Sequence, residues 1–261
     1  HNSLTTNTTG SENTAVGQGS LGSNTTGANN TALGYLALVL NSTASNNTAV
    51  GYNSLATNTT GTQNVAVGAG SLDANTTGGN NVAVGKDALG ANSTGNFCTA
   101  VGKDALRDNT TAEHNTAVGH DALQNNTTGT FNVAVGSAAL DANTTGDSNT
   151  GVGYLSLSNC TTGEQNNALG NSSLLACTTG QTNTGIGNGS LVSVTSGSQN
   201  IGLGTSAGYN ITTGTNNIVL GNASTASSAT ATNEITLGNS SIATLRCNTQ
   251  TISSLSDARD K

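Results

Sequence analysis

Asn64-Val65-Ala66-Val67-Gly68-Ala69-Gly70-Ser71-Leu72-Asp73-Ala74-Asn75-Thr76-Thr77-Gly78-Gly79-Asn80 runs directly into Asn81-Val82-Ala83-Val84-Gly85-Lys86-Asp87-Ala88-Leu89-Gly90-Ala91-Asn92-Ser93-Thr94-Gly95. The second stretch repeats the first with a period of 17. The same frame extends both ways, with glycine at every seventeenth position from Gly17 through Gly238 and no insertion or deletion. The residue before each glycine is always aliphatic, from Val16 and Leu33 to Leu220 and Leu237. The residue two before is Ala or Gly until Val219 and Thr236. Four before, Asn recurs from Asn13 to Asn217, interrupted by Cys98, and Glu234 ends the column. Four after, Leu recurs from Leu21 to Leu191, with Leu4 in phase and Gly208 breaking the column. Between them lies a second block, Asn-Thr-Thr-Gly, as at Asn24 to Gly27 and Asn143 to Gly146.

A fixed period decides the fold before any residue-level reading. Two short runs per unit, bounded by Gly and Asn, predict two short strands and two turns. Helix is disfavoured, because the aliphatics lack 3.6 spacing and Gly, Asn and Thr are poor helix formers. The frame predicts an all-β parallel β-solenoid of 17-residue coils, each stacked on the next at ~4.8 Å, making a rod of roughly 65 Å. The repeat covers residues 1–221. Residues 222–233, rich in Ser, Thr and Ala, read as a linker. Residues 234–256 read as a distinct C-terminal β segment, and 257–261 as a charged end.

Composition narrows the function. The 261 residues hold no Pro, Met or Trp, four Tyr and two Phe, and only 7% are charged, against a usual ~25%. Six Lys and Arg against 13 Asp and Glu give a net charge of −7, which excludes a basic nucleic-acid binder. No run of ~18 apolar residues exists, so no membrane-inserted helix is expected. An enzyme is not expected of a chain almost without aromatics. The chain opens at His1 without a leader pattern, as expected of a mature or truncated piece.

A thin rod of such coils has little interior, which favours an oligomer. Alternate residues of a strand face opposite sides. With Val16, Val50, Val67 and Val84 and with Leu21, Leu55, Leu72 and Leu89 placed inside the coil, Ala66 and its column point outward, as a strip of small residues suited to close approach of another chain.

The unit Asn64-Val65-Ala66-Val67-Gly68, with its kin at 47–51 and 81–85, resembles the head repeats of trimeric autotransporter adhesins. That resemblance implies a left-handed parallel β-roll, three of which pack around one axis as a homotrimer. The coil here is longer than that family's usual unit. The end of the chain, Ser256-Asp257-Ala258-Arg259-Asp260-Lys261, resembles the S-D-x-R-x-K junction of endosialidase-type phage tail fibres and spikes, and Asn233 to Ser241 resembles the stretch leading into it. This second resemblance implies a C-terminal intramolecular chaperone that trimerises the fibre and then cuts itself off at the Ser256–Asp257 bond, with Ser256 as nucleophile and Lys261 as its partner.

Other candidates are weaker. Gly202-Leu203-Gly204-Thr205-Ser206-Ala207-Gly208 has the look of a dinucleotide loop, but such a loop must open a helix, and the repeat already accounts for Gly202 and Gly204. No cofactor and no metal is expected. Cys98, Cys160, Cys177 and Cys247 show no C-x-x-C spacing. Cys160 and Cys177, 17 apart, stand in the Asn-Thr-Thr-Gly block as stacked neighbours and read as free thiols rather than a disulfide. Lys86-Asp87, Lys103-Asp104 and His120-Asp121 form three stacked rungs, read as a solvated ladder ahead of a site for an anionic sugar or a metal. Tyr35, Tyr52 and Tyr154 share the Lys86 phase, where they could stack on sugars.

These readings favour a structural segment of a phage tail fibre, located on the virion and outside the cell. Its expected partners are two further copies of itself, other virion tail proteins and a host-surface glycan or protein. A bacterial surface adhesin head is the alternative. Ice binding by Thr arrays is weaker, because Thr25 and Thr26 are adjacent and face opposite sides.

Overall fold

The computed structural model describes residues 2–244 and Arg246. It is an all-β parallel solenoid, with no helix among the described residues. Each coil contributes one three-residue strand, fourteen in all, numbered β1 (Thr14–Val16) to β14 (Ile235–Leu237) in chain order. They form one sheet whose spatial order is the sequence order. The register is in phase at every pair: Ala66 of β4 (Val65–Val67) sits opposite Ala83 of β5 (Val82–Val84), and Val219 of β13 (Ile218–Leu220) opposite Thr236 of β14.

The second run of each unit does not form the expected second strand. Residues such as 69–74 are turns, although they still bond from rung to rung: Leu72 N–H donates to the Ala88 carbonyl at 2.9 Å, and Thr76 N–H to that of Ser93 at 2.9 Å. The reason is the backbone at leucine. Leu55, Leu72 and Leu89 all have φ +52, a left-handed conformation that a bulky L-residue adopts at a cost. The bend it makes turns the leucine side chain fully into the coil, where it is the one large aliphatic residue of most rungs.

The invariant glycine has a different cause. Gly85 has φ +138, and a Cβ there would lie 2.3 Å from the carbonyl oxygen of Gly102 on the next rung. Any side chain at this corner would prevent the coils from closing to strand spacing.

The strand faces are the reverse of those assigned from sequence. Ala32, Ala49, Ala66, Ala83, Ala100 and Ala117 are completely buried within the single chain, whereas Val16 and Leu33 are about half exposed and Val50, Val67 and Val84 only partly covered. The expected burial of the leucine column holds; that of the valine column does not. Volume explains it: where a rung already holds a leucine and two asparagine side chains, the strand's middle position has room for a methyl or a hydrogen, and where Gly208 replaces the leucine the fully buried Val219 takes that position. Serines in the neighbouring inner column donate to the carbonyl of the strand residue twelve further on, Ser54 to Ala66 at 2.9 Å, Ser173 to Gly185 at 2.9 Å and Ser190 to Gly202 at 2.8 Å.

Two asparagine ladders complete the interior. In the first, Asn64 Oδ1 accepts the backbone N–H of Asn81 at 3.0 Å, and Asn64 Nδ2 donates to the Gly78 carbonyl at 2.8 Å. In the second, Asn75 Nδ2 donates both to Asn58 Oδ1 at 2.9 Å and to the Gly78 carbonyl at 3.0 Å. Buried amides require such partners, and the repeat supplies them in the same way wherever asparagine keeps its place in the column. The asparagines of the Asn-x-Thr sequons in the second block are therefore interior residues, while the threonines that follow them are partly or fully exposed.

Residues 222–233 lie on the coil beneath them. Thr212 N–H donates to the Ala229 carbonyl at 2.9 Å, Asn233 N–H to that of Thr215 at 3.1 Å, and Asn217 Nδ2 to that of Ala231 at 2.7 Å. β14 then adds to β13 as the last strand of the same sheet.

Candidate functional site

The strand reversal creates the most conspicuous surface of the molecule. Every strand turns its first and third residues outward. The third position is an unbroken aliphatic column, from Val16 and Leu33 through Val101, Val118 and Val135 to Ile186, Leu203 and Leu237. The first position adds Thr and Val along most of the length and isoleucine in Ile201, Ile218 and Ile235. Among the described residues, no strand position is charged. Single soluble chains rarely expose contiguous apolar patches beyond a few hundred Å², and larger ones mark interaction sites. This face runs the full sheet, roughly 62 Å at ~4.8 Å per rung.

A second surface is aromatic. Phe97, His114 and Phe131, each 17 apart, stack with ring centroids 5.0 and 5.1 Å apart and planes within 8°. The chain's only two phenylalanines are thus both exposed, at 53% and 60%. The sequence reading missed this column, although its 17-residue spacing was in view. Tyr35 and Tyr52 pair likewise at 5.5 Å. In both stacks the rings face one another, so the inner faces on which a sugar could stack are already used. Such pairs contribute about 0.5–1.5 kcal/mol each, which suits a role in locking rungs together.

The charged ladder is present, solvated except at Asp104, which is buried. Lys86 Nζ lies 3.3 Å from Asp87 Oδ2, Lys103 Nζ 2.5 Å from Asp104 Oδ2, and His120 Nδ1 2.9 Å from Asp121 Oδ2. Gly202 and Gly204 lie on and just after a solenoid strand, followed by turns and no helix, so the dinucleotide-loop geometry is absent there.

Cys98, Cys160 and Cys177 are free and fully buried. Burial pushes the Cys98 thiol up to about 11. Cys177 is held protonated by its hydrogen bond to Cys160 and by burial. Cys160 also ends the second asparagine ladder. It offers no amide to the rung before it, and Asn143 Oδ1 is left buried without a partner. Beyond it that column becomes Cys177, Val194 and Ile211, so the interior turns from polar to apolar.

Ser256, Lys261 and Cys247 lie outside the described residues. Comparison with protein-family models matches none, and comparison with curated proteins finds no relative. The fold thus defines a class, the parallel β-solenoids.

Proposed function

We propose that the chain is a structural segment of a trimeric fibre of the phage-tail type, a stiff spacer that carries the virion's host-contacting parts and can itself contact the host surface. The observation that carries this reading is the uncharged aliphatic face running the length of the sheet. A rod that leaves such a face open is suited to bury it against copies of itself, and in-phase coils let identical columns meet around a common axis. An interior spent on hydrogen-bond ladders fits a load-bearing role. The likeness of 256–261 to a self-cleaving chaperone junction supports the phage assignment over the bacterial surface adhesin, which shares the repeat.

The junction supplies the test. A serine hydroxyl becomes a useful nucleophile when a neighbouring base takes its proton, and a lysine serves as that base once burial or nearby positive charge lowers its pKa. Trimerisation would crowd Arg259 and Lys261 of three chains. Where the coding sequence runs past Lys261, the product should be cut between Ser256 and Asp257, and Ser256→Ala and Lys261→Ala should abolish the cut. An uncut folded trimer, or a Ser256→Ala chain still cut at that bond, contradicts the phage reading while leaving the rod intact.

A further inference from the structure

The charged ladder changes character at its third rung. Asp87, Asp104 and Asp121 form one column and Lys86, Lys103 and His120 the adjoining one. In-register stacking sets three carboxylates beside two lysine ammonium groups and, at the third position, an imidazole, a common metal ligand. The Arg107 guanidinium is engaged by Asp108 through two bonds of 2.8 Å.

At this rung one ligand atom from each of Asp104, His120 and Asp121 lies within 4.8 Å of the others. The Asp104 side chain is 10% exposed, so one carboxylate is held in a fixed place while His120 and Asp121 approach from the solvent side. Imidazole and carboxylate donors bind first-row divalent metals at about 2.0–2.2 Å, commonly as three protein ligands with water completing the shell. A small closure of the two outer side chains onto Asp104 would reach that geometry. The mixed nitrogen and oxygen donor set favours a zinc-like ion over calcium or magnesium, which prefer oxygen alone.

We propose that Asp104, His120 and Asp121 form a binding site for a divalent transition-metal ion that ties two successive coils together on the rod surface. Lys103 is its rival, since its ammonium already holds Oδ2 of Asp104.

The test is calorimetric titration of the whole chain with zinc chloride, repeated on three variants. One saturable zinc per chain is expected. His120→Lys copies what the column already carries at Lys86 and Lys103, so it should fold and keep the metal-free melting temperature. It should lose affinity by at least the roughly 10–100-fold that removal of an outer-shell partner costs. Lys103→Gln should bind zinc more tightly, and His114→Ala should bind as the parent does. Absence of saturable binding, unchanged binding in His120→Lys, or loss of binding in His114→Ala would each overturn the site.

Discussion

Gly85 and Leu89 lie four residues apart and meet a positive φ for opposite reasons. At Gly85 the coil needs the absence of a side chain, because the next rung's carbonyl occupies the place of a Cβ. Gly85→Ala should therefore lower the melting temperature strongly, with backbone strain alone costing about 1–3 kcal/mol and displacement of the neighbouring coil adding to it. Thr77→Ala, at an exposed position, should leave it nearly unchanged. At Leu89 the coil needs the side chain and tolerates the strain. Leu89→Ala should cost about 2–5 kcal/mol for the emptied core. Glycine is ordinarily worse than alanine inside a structure, but at φ +52 it relaxes without penalty. Leu89→Gly should thus be no less stable than Leu89→Ala in denaturant melts; a markedly less stable glycine variant would show that the left-handed bend stores little strain. The glycine column was visible in the sequence as a bare regularity. The leucine bend was not, because a β-branched and aliphatic pattern says nothing of a bulky residue held at positive φ.

The ladders are the element that turns a repeat into a rod. Each asparagine both donates and accepts, so a break leaves a defect on the rung next to it. Cys160 is such a break, and Asn143 Oδ1 is the atom it strands. Cys160→Asn should restore a donor to Asn143 Oδ1 and replace the 3.6 Å thiol bond to the Gly163 carbonyl by an amide, raising stability by about 1 kcal/mol, the net worth of a buried hydrogen bond, and a rise in melting temperature would show it. A fall would mean that the junction from asparagine to the apolar stack of Cys177, Val194 and Ile211 is tuned to cysteine. Both columns were legible as columns from the 17-residue frame, and so was the stacking of Cys160 on Cys177. The inward direction of the Ala66 column was not. Period-two alternation in Val65-Ala66-Val67 fixes that Ala and Val face opposite ways, but not which of them faces in. That choice depends on how much room the asparagines and Leu72 leave, a volume that three-dimensional closure of the coil sets. Phe97, His114 and Phe131 were legible by spacing alone; their stacking depends on the same closure.

At the scale of the whole molecule, the reversal moves the proposed contact surface from a strip of alanines to a band of valines, leucines and isoleucines. A band of that kind is a stronger reason for assembly, since each large aliphatic side chain gains about 1.5–3 kcal/mol on full burial. It also makes the assembly separable from the fold, because the outward column takes no part in the interior. Val118→Glu should keep the strand content of the parent while putting a charge into the middle of the contact face. Native mass spectrometry of the parent and of Val118→Glu is the direct measurement. The account predicts a parent particle of three chains, each of 25.5 kDa, and a folded single chain for Val118→Glu. A parent that remains a folded monomer at micromolar concentration, or a Val118→Glu chain that still assembles by threes, would contradict the claim that this face holds the fibre together.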